Sequence, residues 1–248
     1  MLVYLYDGSF SGLLTVIYES YYRREKPELI IVQDKWEHAL FTREVVIKTD
    51  EQKADKVYQA ILTRISGFAA KNIYCVFLAE LPGTERLIYD YLARGWKWGD
   101  KLDLHLADEV VLKVQTIARK VRNEAHRMLG LVRFRLLSQE LYYAQIEPDY
   151  NILQMISPHF ARRMADQNWI IHDLKREMAA VYNQTEWFLT PLPRSVSVSL
   201  DEAGLAYESL WQKYFSSIAI KSRQNKRLQR NFMPKKYWKH LVEMMEDN

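Results

Sequence analysis

The sequence predicts an α+β fold with a largely helical N-terminal half, a small antiparallel β-β-α-β-β unit and a helical C-terminal segment. Three observations indicate this class. Apolar residues recur every three or four positions along several stretches, as on the buried face of a helix. Short apolar and aromatic runs between residues 131 and 182 are typical of strands. The chain has 248 residues, 48% of them hydrophobic, which is enough to bury a substantial core.

Residues 1–106 form the first predicted part, which is mixed and mainly helical. The run Leu2–Tyr6 reads as a strand, and Asp7-Gly8 supplies the turn after it. Ser9 or Ser11 can then cap a helix, because a serine hydroxyl accepts a hydrogen bond from a free backbone N–H at a helix start. The elements expected next are strands at 29–32 and 44–48, a helix from the capping box at 49–52 to about 66, and helices at 67–80 and 84–95.

Residues 107–190 form the second predicted part, a long helix followed by the strands. Apolar residues between Val110 and Met128 recur at helical spacing, and Gly130 is a natural C-terminal cap. A further helix is expected to begin at Ser157-Pro158, because proline favours the first position of a helix. The expected antiparallel pairs are 131–137 with 141–146, and 169–172 with 178–182.

Residues 191–248 form the third predicted part, a basic segment with helices expected at 203–219, 224–232 and 234–246; the three parts should pack as one compact globule. Nine Lys and Arg and no Asp or Glu lie between 211 and 240, which leaves 26 basic against 31 acidic residues elsewhere. Such local positive charge is typical of a nucleic-acid phosphate site. The alternatives are a solvated basic face or a dock for an acidic protein. The residues expected to bind nucleic acid here are Arg223, Lys226, Arg227, Arg230, Lys235, Lys236 and Lys239.

A second cluster of polar residues is predicted from two helices. Arg122, Asn123 and His126 share a polar face of the long helix. Arg162 and Arg163 follow the predicted helix start, where free backbone N–H groups favour anions. We expect these side chains to line a selective nucleic-acid pocket, since arginine suits phosphate and asparagine can contact a base edge. The alternative is a solvated helix face with its arginines paired to surface carboxylates.

Five residues are candidates for acid or base chemistry, because carboxyl and imidazole groups can transfer protons near neutral pH. They are Glu124, His126, Glu147, His172 and Asp173. His172 and Asp173 end a predicted strand, and Glu147 begins a Glu-Pro-Asp turn. A hydrogen-bonded pair at a strand end is more often structural than catalytic. The sequence leaves both interpretations open.

Several classes of protein are excluded or disfavoured by what the sequence lacks. With one cysteine, Cys75, the chain has no ligand set for a four-thiolate iron–sulfur cluster or a zinc knuckle. It has no Walker loop and no glycine-rich dinucleotide fingerprint, so no cofactor and no metal are expected. No uncharged apolar run approaches the roughly 20 residues of a membrane helix, and the start lacks a signal peptide. We expect a cytoplasmic protein without membrane contact.

Six short motifs lie in order along the chain: Tyr6–Phe10, Val121–Arg127, Ile146–Asp149, Pro158–Arg163, Trp169–Asp173 and Met233–Trp238. Together they resemble one bacterial family of DNA-repair or DNA-metabolism proteins, the domain of unknown function 4130. Members of this family tend to be encoded beside a radical-SAM protein, and the domain is sometimes fused to a uracil-DNA-glycosylase-like domain. The resemblance therefore implies DNA and a radical-SAM iron–sulfur protein as partners, by association alone.

Three functions are compatible with these patterns. The first is a nucleic-acid-binding accessory protein of DNA repair or DNA metabolism, which uses the basic C-terminal face and the Arg/Asn/His pocket. The second is a metal-independent hydrolase or glycosylase-like enzyme that acts on damaged nucleotides. The third is an adaptor that docks the radical-SAM partner through its basic face. The first is the leading hypothesis.

Overall fold

The computed structural model describes residues 1–137, 141–195, 226–242 and 244. Its elements confirm the α+β class. The chain divides into two compact units, Met1–Arg122 and Asn123–Asn248, and the boundary falls inside a long helix. None of the described helices is both long and apolar enough to span a membrane. The three-part division of the sequence stays a prediction.

The first unit contains a parallel sheet of three strands in the order β2-β1-β3. They are β1 (Leu2–Tyr6), β2 (Leu29–Val32) and β3 (Arg43–Val46), close to the three predicted runs. β1 lies in the middle, and Val3 and Tyr4 are fully buried in it. The first strand of the chain is therefore the buried central strand of this sheet.

The first unit also contains helices α1 (Phe10–Arg23), α2 (Glu51–Arg64), α3 (Gly67–Leu78) and α4 (Thr84–Trp98). Ser9 caps α1 as expected, since its hydroxyl accepts a backbone N–H at 2.9 Å. α2 is capped by Asp50, whose carboxylate accepts the N–H of Lys53 at 3.1 Å. Thr49 instead donates its hydroxyl to Asp7 at 2.7 Å, so the expected capping box does not form.

α5 (Glu109–Leu131) is the long helix that the apolar spacing predicts. It continues through Gly130, which was the expected cap, and the N–H of Val132 still donates to the Met128 carbonyl at 3.1 Å. The guanidinium of Arg133 donates to the Gly130 carbonyl at 2.7 Å. Because a side chain satisfies this carbonyl, the helix end needs no left-handed glycine turn.

The second unit contains a sheet of five strands in sequential order. They are β4 (Arg135–Leu137), β5 (Leu141–Ile146), β6 (Asn168–Asp173), β7 (Met178–Asn183) and β8 (Trp187–Pro191). Trp169 on the central strand β6 is fully buried and stacks on Tyr182 of β7, with ring centroids 5.2 Å apart. The last strand, β8, was not expected from the sequence.

The pairing of these strands corrects the prediction of an antiparallel unit. β4 with β5 and β6 with β7 are antiparallel as expected, and so are β7 and β8. β5 and β6, however, pair in parallel. The helix between them carries the chain back along the sheet before β6 begins, and such a crossover connection gives parallel neighbours.

That crossover helix, α6 (Leu153–Arg163), begins four residues before the predicted start. Pro158 lies inside it, and the Ser157 hydroxyl donates to the Leu153 carbonyl at 2.6 Å. Arg162 and Arg163 therefore lie in the last turn of α6. The expectation of an anion site at a helix N-terminus beside these arginines is wrong, because the C-terminal end of a helix carries partial negative charge.

The C-terminal residues that the structure describes form α7 (Lys226–Phe232) and a 3-10 helix, Lys235–His240. α7 agrees with the helix expected at 224–232. A 3-10 helix occupies part of the stretch expected as a helix at 234–246. The helix predicted at 203–219 lies outside the described residues, and so does the candidate Arg223.

Candidate functional site

The parallel strands β5 and β6 end side by side at one edge of the second sheet. Ile146 pairs with Asp173 at this edge, and the Leu174 N–H donates to the Ile146 carbonyl at 3.0 Å. Residues 147–149 leave β5 here, and residues 175–176 leave β6. Loops that follow the carboxyl ends of parallel strands commonly form binding sites, because they meet at the same edge.

Glu124 on α5 binds the loop that follows β5. Its side chain is almost fully buried, and its two oxygens accept the backbone N–H groups of Asp149 and Tyr150, each at 2.9 Å. The Tyr237 hydroxyl and the Lys236 ammonium group of the C-terminal 3-10 helix also donate to it. This one carboxylate therefore connects α5, the loop after β5 and the C-terminal 3-10 helix.

Two further carboxylates of the same loop hold the C-terminal lysines. Lys236 donates to Asp149, and Lys239 donates to Glu147. Arg194, which follows β8, donates to Glu147 at 3.1 Å. We call the three acidic residues Glu124, Glu147 and Asp149 the carboxylate cluster.

Asp173, at the end of β6, supports the loop after β5 from the other side. It is fully buried and accepts a hydrogen bond from Arg176 at 3.0 Å and the N–H of Lys175 at 3.0 Å. Arg176 also donates to the carbonyls of Pro148 at 3.3 Å and Asp149 at 2.9 Å. The two loops are thus joined through one buried ion pair.

His172 is fully buried and both of its ring nitrogens are engaged. Nε2 donates to the Leu192 carbonyl at 2.9 Å, which leaves Nδ1 to accept the Tyr143 hydroxyl at 2.7 Å in the neutral ring. Burial lowers the pKa of His172 below its usual value. These contacts fix the end of β6 against β5 and the segment after β8.

The lowered pKa of His172 predicts a pH dependence of stability. A group whose pKa is lower in the folded state keeps its full contribution above the unfolded pKa of 6.5, and that contribution falls as pH decreases. Between pH 7.5 and 5, the free energy of unfolding should fall more steeply for the native chain than for His172→Gln. The difference in slope is at most about 1.4 kcal/mol per pH unit. Urea unfolding at several pH values measures it, and equal slopes would contradict the assignment.

The carboxylate cluster and the C-terminal lysines stabilise each other's charges. Burial disfavours the charged form of Glu147, but the hydrogen bond and charge of Lys239 outweigh it and lower the pKa of this carboxyl. Burial also opposes the charge of Lys236, but its hydrogen bond with Asp149 raises the pKa of Lys236 above the usual value. Both lysine contacts are therefore ion pairs at neutral pH.

The polar cluster expected on α5 has two different environments. Arg122 donates to the Asn72 side chain at 2.8 Å and lies over the Phe68 ring, so its partners belong to the first unit. Asn123 and His126 are exposed. Their place in a nucleic-acid pocket stays a prediction.

The cations expected to bind nucleic acid are mostly exposed. Those with an exposed side chain are Arg162, Arg163, Arg227, Arg230, Lys235, Lys236 and Lys239. Lys236 and Lys239 are held by the carboxylate cluster. No ion pair joins Arg227, Arg230 or Lys235 to another residue that the structure describes. Lys226 begins α7, and nothing is described of its side chain.

Sequence reasoning missed Tyr143, Arg176 and Arg194, which position the candidates Glu147, His172 and Asp173. It also gave Glu124 and Glu147 only as candidate acids or bases, although they hold the C-terminal lysines. The sequence contained one signal for these ion pairs. The chain outside 211–240 has an acidic excess, and an acidic remainder is the natural partner for a basic segment.

Lysine and arginine side chains and backbone N–H groups bind the carboxylate cluster. Across the described ranges, no group of three or more His, Cys, Asp or Glu side chains is arranged to hold a metal ion. The oxygens of Glu124 instead face a lysine, a tyrosine hydroxyl and two backbone N–H groups.

Four of the six motifs named above meet at this edge. Glu124, Asp149, Asp173 and Lys236 each belong to a different motif, and hydrogen bonds connect them directly or through Arg176. No curated protein matches the chain. A family model described as a domain of unknown function, DUF4130, matches residues 82–243, which is more than half of the chain. The chain therefore belongs to the DUF4130 family.

Proposed function

We propose that this chain is a nucleic-acid-binding accessory protein of DNA repair or DNA metabolism. Its binding surface is the basic segment Lys226–His240, which we call the C-terminal basic segment. The observation that carries the proposal is the division of its cations into two groups. Lys236 and Lys239 are bound by carboxylates, whereas Arg227, Arg230 and Lys235 are exposed and form no ion pair with another described residue.

The bound lysines position the segment. Tyr237 is buried and, like Lys236, donates to Glu124. One charged donor and one uncharged donor therefore fix the 3-10 helix. A 3-10 helix held in this way presents Lys235 without a further loss of backbone entropy on binding.

The remaining cations suit phosphate. Arg227 and Arg230 are three residues apart on α7, so they project from the same side of the helix. Guanidinium groups bind phosphate oxygens through paired N–H donors. A lysine and two arginines on one short segment concentrate positive charge, which the closely spaced phosphates of a nucleic-acid backbone attract.

The contacts of the acid and base candidates favour binding over proton transfer. Glu124 accepts from two backbone N–H groups, a hydroxyl and an ammonium group, and both nitrogens of His172 are engaged. A general acid or base needs an atom within hydrogen-bond reach of the substrate. The hydrolase hypothesis therefore has less support than the binding hypothesis.

Charge reversal tests the proposal. The triple variant Arg227→Glu, Arg230→Glu, Lys235→Glu should bind duplex DNA at least about tenfold more weakly, because each lost phosphate contact removes counterion release. Its plot of log affinity against log salt should be shallower by about 2 to 3 units. Fluorescence anisotropy over a salt series measures both quantities.

The matched control is Lys101→Glu, Lys113→Glu, Lys120→Glu, which makes the same change in net charge at exposed positions outside the segment. It should retain most of the affinity and the slope. If both variants bind like the native chain, the segment does not bind DNA. A stable, nuclease-resistant complex with a radical-SAM iron–sulfur protein would then favour the adaptor hypothesis.

A further inference from the structure

The first unit contains a cleft of about 440 Å³ between α1, α2 and α4 that is lined by aromatic and basic side chains. These aromatic and basic residues are Tyr18, Tyr21, Tyr22, Lys56, Arg64 and Trp96. None of them lies in the C-terminal basic segment or among the candidates derived from the sequence. The four aromatic rings come from α1 and α4, and both cations come from α2.

The tyrosines expose their rings to an unusual degree. Tyr21 is 73% exposed and Tyr22 is 67% exposed, although both lie on a helix whose other side is in the core. Tyr18 and Tyr22 stack, with ring centroids 4.2 Å apart and an angle of 22° between planes. This stack extends the cleft and leaves flat aromatic surface open to a ligand.

The charge beside these rings is positive. Lys56 and Arg64 are exposed and make no ion pair with another described residue. Glu19, the acidic residue of α1 nearest in sequence, is bound by Arg23 and by Lys53, each at 2.8 Å. Lys53 also lies over the Tyr18 ring, 5.7 Å from its centroid. The cleft therefore combines open aromatic faces with uncompensated cations.

We propose that this cleft binds an unpaired segment of a nucleic-acid strand, with a base stacked on the tyrosines and the adjoining phosphates on Lys56 and Arg64. Base stacking on aromatic side chains beside a positive groove is how proteins hold single strands without reading their sequence. A duplex offers no free base face, so the cleft distinguishes unpaired from paired strands. The inference rests on contacts within the first unit alone and stands independently of the C-terminal basic segment.

A binding comparison tests this inference. The full-length chain is titrated into a fluorescent oligo-dT strand and into an abasic strand with the same number of phosphates. Oligo-dT should bind more tightly, and Tyr21→Ala/Tyr22→Ala should weaken its binding by about tenfold or more, in line with the loss of one stacked base. Binding of the abasic strand should change little. The control is Phe41→Ala, because Phe41 is an exposed aromatic residue of the same unit outside the cleft.

A second variant keeps the test decisive if the tyrosine pair alters folding. Arg64→Glu leaves every aromatic ring in place and should weaken the binding of both strands, whereas Lys101→Glu should not. Photo-crosslinking of a bromouracil-containing strand to the native chain, followed by peptide mapping, should label peptides that contain residues 18–22 or 96. Equal affinity of the tyrosine variant and the native chain for oligo-dT, or the absence of labels from the peptides that contain residues 18–22 and 96, would overturn the inference.

The result is separable from the proposed function. The charge-reversed C-terminal variant should keep its preference for oligo-dT over the abasic strand if the cleft binds bases. If duplex binding is lost in that variant and no base preference exists, the proposed function stands and the cleft assignment fails. Loss of binding to phosphatidylserine vesicles in the tyrosine variant, with oligo-dT binding unchanged, would assign the cleft to a membrane surface and would also overturn the inference.

Discussion

Replacement of Glu124 by alanine should lower the free energy of unfolding by about 3–5 kcal/mol, because each donor that loses its buried acceptor costs about 1–3 kcal/mol. Glu124 is 3% exposed. Its loss leaves two backbone N–H groups and the Tyr237 hydroxyl without their acceptor, and Lys236 loses one of its two carboxylates. Urea unfolding measures the change, and the α5 variant Lys120→Ala is the control because Lys120 is exposed.

The variant Glu124→Gln separates shape from charge. Glutamine keeps one carbonyl acceptor and the volume of the side chain, so it should cost less than alanine does. The Glu124→Ala variant should also expose the C-terminal basic segment to protease, because the carboxylate joins that segment to α5. Unchanged stability and unchanged cleavage in Glu124→Ala would show that the C-terminal 3-10 helix is held by other contacts.

Replacement of Arg176 by methionine should also cost about 3–5 kcal/mol, because it leaves a buried carboxylate without its cation. Asp173 is fully buried, and Arg176 is its ion-pair partner at 3.0 Å. Methionine keeps most of the aliphatic volume of the arginine, so the loss reports on charge and hydrogen bonding more than on packing. Thermal unfolding should show a decrease of several degrees in Tm.

The double variant Asp173→Asn, Arg176→Met provides the decisive comparison. Asparagine keeps an oxygen that can accept the N–H groups of Lys175 and Arg176, and it removes the charge that methionine leaves unpaired. The double variant should therefore be more stable than Arg176→Met alone. If the two changes simply add, the ion pair contributes little and the carbonyl contacts of Arg176 hold the loop instead.

Local signals predicted much of the fold correctly. β1 and the start of α1 follow from an apolar run, a turn and the Ser9 cap, all within about ten residues. α5 follows from its apolar repeat. Each of these signals comes from residues close together in sequence, so the pattern of residue types contains the information needed.

Competing local signals explain the errors at α6. Pro158 favours a helix start, but Leu153 and Ile156 are buried and extend the helix toward its N-terminus. The gain from burying these side chains outweighs the one backbone hydrogen bond that proline cannot make. The shift moved Arg162 and Arg163 from the first turns of the helix to its last turn.

The candidate site was predicted as separate parts. Glu124, Glu147, Lys236 and Lys239 were all singled out, but as candidate acids and as phosphate ligands. Their contacts join residues that are far apart in the chain, since Lys236 is 112 residues from Glu124 and Lys239 is 92 residues from Glu147. Helical and strand periodicities extend over only a few residues and contain no information about such pairs.

The sequence by itself determined the α+β class, the start of the first unit, the long helix and the concentration of basic residues near the C-terminus. Among the basic residues that the structure describes there, the tertiary structure decided which are paired with carboxylates and which form no ion pair. The parallel pairing of β5 with β6 places the loops after both strands at one edge, where the carboxylate cluster binds Lys236 and Lys239. Charge is a property of composition, but its compensation depends on distance, and folding sets that distance.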